Sequence, residues 1–160
     1  MSTPHETWPD LAGRLQHTPA GRTHVLPVRV YFEDTDFSGL VYHASYVRWC
    51  ERGRSDFLRL IGNDHRALIT GGDGREPAAF VVRRMQLEYL KPARIDDVLE
   101  VTTRVKDLGA ATLVLDQHIS RDGTVLFEAV VTAALVSQSG RVLRLSQALR
   151  SAMTPTGQTG

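Results

Sequence analysis

The chain has a single cysteine, Cys50, among 160 residues. That excludes an intramolecular disulfide framework and a zinc site built from several cysteines, and it fits a reducing compartment. No apolar run approaches the roughly 18 residues needed to span a bilayer. The first residues carry Glu6, Asp10 and Arg14 without the apolar stretch of a secretory signal, so a cytoplasmic protein is expected. An excess of one charge is also missing: 19 Lys and Arg stand against 18 Asp and Glu, a formal net charge of +1. A basic surface that coats nucleic-acid phosphates is therefore disfavoured. His5, His17, His24, His65 and His118 show no paired ligand spacing, and no metal or cofactor is expected. What is present, 42% hydrophobic and 23% charged residues, suits one globular domain with its own core.

Residues 1–23 hold Pro4, Pro9 and Pro19 without sustained periodicity and read as a mobile N-terminal arm; residues 150–160 read as a C-terminal tail. Residues 24–149 form the expected domain. An alternating strand comes first, with Val28, Val30 and Phe32 on one face and Arg29, Tyr31 and Glu33 on the other. From Ser45 to Ile61 the residues Tyr46, Trp49, Cys50, Gly53, Phe57 and Ile61 recur at steps of three and four, predicting one helix of about 25 Å. Residues 63–77 read as a loop, with room for a short helical turn, whose GGDG lacks the entering strand and the GK[ST] of a phosphate loop.

Beyond Pro77 the period is two. Strands are predicted from Phe80 to Leu90, through Leu99 to Lys106, through Leu113 to Ile119, from Val125 to Val136, and from Val142 to Leu145, with Asp122-Gly123 as a hairpin turn. One helix with five to six antiparallel strands predicts an α+β fold in which a curved sheet wraps a long central helix. Val125 to Val136 is apolar on both faces, so the outer face of the sheet needs a second cover, which self-association would supply.

The densest group of reactive side chains lies between the first strand and the helix: Glu33, Asp34, Asp36, Ser38, Tyr42 and His43. A helix N-terminus offers unsatisfied N–H groups and a partial positive charge of about half a unit, a ready site for an oxyanion. Gly39 lets the backbone approach a ligand closely. Asp36 would supply a carboxylate while amides around Tyr42 and His43 polarise a carbonyl. So sparse a site suits a thioester, because a thiol with a pKa near about 8.5 leaves easily without a tuned acid.

The stretch VRVYFEDTDFSGLVYHASYVRWCERGRSDFL, with its D-x-D-x-x-G-x-V-Y-H string, resembles the hotdog-fold acyl-CoA thioesterases of the 4-hydroxybenzoyl-CoA thioesterase type, and within them the Tol–Pal-associated branch. The likeness continues through FVVRRMQLEYLKPARIDDVLEV and spans residues 25–146. It implies a hotdog fold and a homodimer, commonly paired into a homotetramer, with active sites at the subunit interface and no metal. It implies Asp36 as the catalytic carboxylate, and His43, after Tyr42, as the residue whose backbone N–H polarises the thioester carbonyl. Gly39 and Val41 of the string fall at the substrate, and Arg83, Arg84, Lys91 and Arg94 lie where the family meets the phosphates of coenzyme A. The carrier on the substrate is coenzyme A or acyl carrier protein.

Each residue also has a plainer reading. Asp36 is equally a turn cap by spacing alone, and Asp34 reads as a structural residue bonded to loop amides. The His43 imidazole orients substrate or contributes nothing beyond its backbone. Glu51, two turns into the helix, matches the depth of a helix carboxylate used by another hotdog subgroup, or it satisfies neighbouring polar groups. Ser38 lacks a G-x-S-x-G setting, and Cys50 falls on the apolar helix face. Trp49, Phe57, Phe80 and Met85 are pocket wall or core. Two rivals to hydrolysis are a hotdog dehydratase or hydratase, whose D-x-x-x-x-H spacing is absent here, and a non-catalytic acyl-CoA-binding module.

Overall fold

The computed structural model describes residues 10–19, 21–62, 65–72 and 74–154. Among these residues six strands and three α-helices follow in the order β1 (Arg14–Thr18), β2 (Gly21–Arg29), α1 (His43–Leu60), α2 (His65–Thr70), β3 (Ala78–Tyr89), β4 (Val98–Leu108), β5 (Thr112–Arg121), β6 (Thr124–Ser137) and α3 (Gln147–Met153). The strands form one sheet in the order β1-β2-β4-β5-β6-β3, antiparallel throughout. None of these helices is long and apolar enough to cross a membrane.

Alternation in the sequence decides which face of the sheet meets α1. Leu99, Val101, Thr103 and Val105 of β4 are buried, as are Leu113, Leu115, Gln117 and Ile119 of β5. On the helix side, Tyr46, Trp49, Cys50, Gly53 and Phe57 close the core. Gly53 marks the closest approach, since a Cβ there would lie 3.0 Å from Val101 and 3.1 Å from the Thr103 hydroxyl. Beneath it, Gln117 donates to the Cys50 carbonyl (2.9 Å) and to Thr103 (2.8 Å), and accepts from Arg54 (2.8 Å). The helix packs chiefly on β4 and β2 and less on β5, which leaves space beside it toward β6 and β3. This is the sheet wrapped around one helix that the period changes predict, the hotdog arrangement.

Five expectations are corrected. Residues 14–18 and 21–23, assigned to the arm, form β1 and the start of β2; β1 has only Leu15 as an apolar residue but completes the sheet by pairing with Gly21–Val25. Residues 1–9 lie outside the described residues. Phe32, expected on the inner face of a continuing strand, is 81% exposed, because the chain leaves the sheet after Arg29 and turns through Phe32–Asp34. No strand forms at Val142–Leu145; a single bridge joins Val142 to Val136. Finally, residues 150–153 are the end of α3, capped by the Ser146 hydroxyl accepting from Leu149 N–H (3.2 Å), with Leu149 and Met153 buried. The exposed apolar surface also differs in place: it gathers on the edge strand β3 (Val81, Val82, Tyr89) and the loop before α1 rather than on the outer face of β6.

His24 on β2 is fully buried and bonded through Nε2 to Asp56 Oδ2 of α1 at 2.7 Å. A carboxylate only accepts, so Nε2 carries the proton and the buried Nδ1 is left without a partner among the described residues. Gly13 lies flat over the pair; a Cβ there would overlap Asp56 Oδ2 at 1.7 Å. Burial, opposed by the Asp56 bond and charge, pushes the His24 pKa below its ordinary 6.5. The unfolded chain therefore binds a proton that the folded chain refuses. This share of stability is complete above pH 6.5 and is lost as pH falls below it, by at most about 1.4 kcal/mol per unit. Urea melts of wild type and His24→Gln between pH 7 and 5 should differ in slope, with the variant flatter.

Candidate active site

The loop between β2 and α1 is built from its own backbone upward. Asp34 is buried, and its Oδ2 accepts from Tyr31 N–H (2.8 Å) while its carbonyl accepts from Tyr42 N–H (2.8 Å) and the Ser45 hydroxyl (3.2 Å). This is the structural role its sequence position predicts, and it fixes the angle at which the chain enters α1. Val41 N–H donates to the Ala93 carbonyl (2.9 Å), and Leu40 bridges to Arg94. Val41 itself is 7% exposed and packs in the core, which anchors the loop to it.

On this base sits a tight turn from Asp36 to Gly39. Gly39 N–H donates to the Asp36 carbonyl (3.0 Å), and Gly39 has φ +80° with open space around it, so conformation rather than crowding requires the glycine. The Asp36 carboxylate stands exposed, and its Oδ1 accepts from Ser38 N–H (2.8 Å) and from the Ser38 hydroxyl. No hydrogen bond reaches Oδ2 among the described residues. These two Ser38 bonds, the hydroxyl first, hold the carboxyl pKa below its ordinary value, against slight desolvation and with a small contribution from His43. Ser38 is thus no nucleophile but a brace. Ser38→Ala should raise the Asp36 pKa and move the acid limb of a kcat/KM profile to higher pH.

The helix begins at His43 with Tyr42 in extended conformation as N-cap. The Tyr42 side chain makes no cap bond and no acidic residue lies in the first turn, so no residue of the helix itself neutralises the positive end of α1. The Tyr42 and His43 rings are 4.4 Å apart, both exposed, and the His43 carbonyl accepts from Tyr89 Oη (3.0 Å). That link from β3 to the helix start, 46 residues apart, is one that sequence reasoning missed; only the Tyr89 position on the inner face of its strand hinted at it.

The remaining site candidates divide. Lys91 and Arg94 are exposed beside the loop, and Arg94 N–H donates to Asp97 (2.9 Å). Arg83 and Arg84 are exposed half way along β3, at a bulge between Val82 and Arg84. Glu51 is about 12 Å along the helix from His43 and accepts from the Ser55 hydroxyl (2.6 Å). It borders a separate pocket with Phe57 and Phe80, whereas Trp49 is core and Met85 packs against the core. Burial pushes the Cys50 thiol up to about 12, which removes it as a nucleophile at neutral pH. No cluster of metal-ligating side chains occurs among the described residues.

The sequence matches the thioesterase superfamily over residues 38–128, a stretch that begins two residues after Asp36. It is 46% identical over 111 residues to the acyl-CoA thioester hydrolase YbgC of Escherichia coli, covering 69% of this chain and 79% of that protein. The acyl-CoA thioesterase YbgC of Haemophilus influenzae is 38% identical over 110 residues, 69% of this chain and 78% of its own. Among solved structures, a probable thioesterase from Bartonella henselae superposes with a TM-score of 0.75 at 42% identity, over 78% of this chain and 99% of that one.

Proposed function

This chain belongs to the thioesterase superfamily, and from that premise we propose that it hydrolyses acyl-CoA thioesters, with Asp36 driving the attack and the first turn of α1 holding the oxyanion. The observation that carries the mechanism is the single turn-helix unit in which an ionised carboxylate stands next to an uncapped helix start. The carbonyl oxygen lies against the N–H groups at His43, where developing negative charge gains most from the helix end. Asp36 acts as base on a water, or attacks the carbonyl carbon itself and is released by water. In the first route the water proton moves to Asp36, the C–O bond forms, the C–S bond breaks and the thiolate leaves. The products are a carboxylic acid and coenzyme A.

This reading needs no metal and no cofactor beyond the substrate. The His43 amide polarises the carbonyl, the expected Tyr42 amide being already given to the Asp34 carbonyl (2.8 Å); Gly39 keeps the approach open, and Lys91, Arg94, Arg83 and Arg84 offer charges to the phosphates of coenzyme A or of an acyl carrier protein. The exposed edge of β3, with Val81 and Val82, supports a homodimer formed along that strand and a homotetramer made from two such dimers. A cytoplasmic site of action suits the single buried thiol. Free-thiol release from a series of short, long and aromatic acyl-CoAs tests the activity; no release from any of them by purified protein overturns it. A monomer at micromolar concentration by light scattering overturns the dimer.

A further inference from the structure

The turn that carries Asp36 rests on a second turn, residues 93–97 between β3 and β4, through the Val41 bond to the Ala93 carbonyl and the bridge from Leu40 to Arg94. Leu40 is the residue through which that support reaches Asp36. Its carbonyl accepts from Asp36 N–H (3.0 Å), and its N–H donates to Ser38 Oγ (3.4 Å), the hydroxyl that braces the Asp36 carboxylate. A shift of residues 93–94 is therefore passed to Asp36 along the backbone. The 93–97 turn is itself under constraint. Asp96 has φ +67°, a left-handed conformation that persists in a non-glycine residue where its neighbours over-determine it. Asp96 N–H donates to the Val30 carbonyl (2.9 Å), and Val30 N–H donates to the Asp97 carbonyl (2.9 Å). The Asp97 side chain closes the turn: its Oδ2 accepts from Arg94 N–H (2.9 Å) and from the guanidinium of Arg121, at the end of β5 (2.7 Å). The side chains of this pair are 34% and 22% exposed, so solvent screens it less than a fully exposed pair. One carboxylate oxygen thus serves donors from two distant parts of the chain. Without the guanidinium, a backbone N–H alone would answer a half-buried charge, and the carboxylate would gain by turning out to water.

We propose that Arg121 and Asp97 are positioning residues for hydrolysis: their ion pair fixes the 93–97 turn, that turn fixes Leu40, and Leu40 fixes the place of the Asp36 carboxylate beside the start of α1. The proposal rests on the hydrolase reading above. Neither residue acts on the substrate. What they set is how far Asp36 stands from the carbonyl carbon, or from the water, on which it acts. A displacement of about 1 Å at that distance is enough to lower the rate by about 10²-fold.

The test is kcat and KM for thiol release from whichever of butyryl-, octanoyl-, palmitoyl- and benzoyl-CoA wild type hydrolyses fastest, with kcat taken per folded molecule from a urea melt under assay conditions. Arg121→Ala should lower kcat by about 10- to 100-fold and change KM much less, because the basic side chains near the loop remain. Asp97→Asn should act in the same direction, since it keeps an oxygen for Arg94 N–H but no charge for Arg121. That shared direction separates position from charge: one variant removes a positive charge and the other a negative one, so a purely electrostatic influence on Asp36 would move the rate in opposite directions. The double variant should lose no more than either single one. Arg121→Lys keeps the charge and should recover most of the rate. An unchanged kcat per folded molecule in Arg121→Ala overturns the proposal, because a pair that only stabilises the fold lowers the melt and not the rate. A loss carried by KM alone, opposite changes in the two single variants, or losses that multiply in the double variant overturn it as well. No thiol release by wild type from any of these thioesters overturns the hydrolase reading instead.

Discussion

Asp36→Asn should lower kcat for acyl-CoA hydrolysis by about 10²- to 10⁴-fold, the range expected when a positioned acid-base group is removed. Asparagine keeps an Oδ1 that accepts from Ser38 N–H and the Ser38 hydroxyl, so the turn from Asp36 to Gly39 survives. Because the side chain is exposed and outside the core, the urea midpoint should stay close to that of wild type. KM should change little, since the amides at the start of α1 and the basic residues near the loop are untouched. The competing account, in which Asp36 only caps a turn, makes the opposite claim. Asparagine caps as well as aspartate, so activity would be retained. Wild-type thiol release from the folded variant in a free-thiol assay would remove Asp36 from the mechanism.

Phe127→Ala should cost about 3–5 kcal/mol of stability, the usual range for emptying a buried aromatic site. Phe127 is fully buried and is the hub of an aromatic cluster: Tyr46 stacks on it at 5.2 Å and 20°, and Tyr89 meets it edge-on at 5.0 Å. Both tyrosines reach from this hub toward the start of α1 and the loop before it. Tyr46 Oη accepts from Ala93 N–H (3.0 Å), the neighbour that anchors Val41, and Tyr89 Oη donates to His43. The cavity would therefore loosen the helix start as well as the core, and kcat should fall further than the folded fraction explains. Tyr89→Phe is the control, since it removes one hydroxyl bond worth about 0.5–1.5 kcal/mol and leaves the rings packed. Equal kcat loss in the two variants would mean that the His43 bond, and not the packing beneath it, sets the geometry.

What could be read in the sequence was local. The helix was legible because Tyr46, Trp49, Cys50, Gly53 and Phe57 all face the sheet, β4 and β5 because their alternation is regular, and β6 because a long apolar run follows the Asp122-Gly123 turn. The turn from Asp36 to Gly39 and the helix start at His43 were legible for the same reason: they are contiguous in the chain. β1 was not, since an edge strand reading RLQHT has almost no apolar period and gains its order from its neighbour. The α3 helix was hidden by its brevity, although Ser146 as a cap and Leu149 and Met153 four apart are a legible signal in hindsight. The pocket drew on α1, β3, β5, β6 and α3, and no window of sequence contains it.

Gly13 shows how far the folding unit exceeds the part that marks the family. A fragment cut to the family match would begin at Ser38, discarding β1 and β2, a third of the sheet, together with His24. Even a cut made just before β2 would strip Gly13 from the His24–Asp56 pair and let water reach an imidazole nitrogen that folding had kept dry. For expression of a shortened chain, the safe boundary therefore lies upstream of Gly13, in residues that carry no family signature at all.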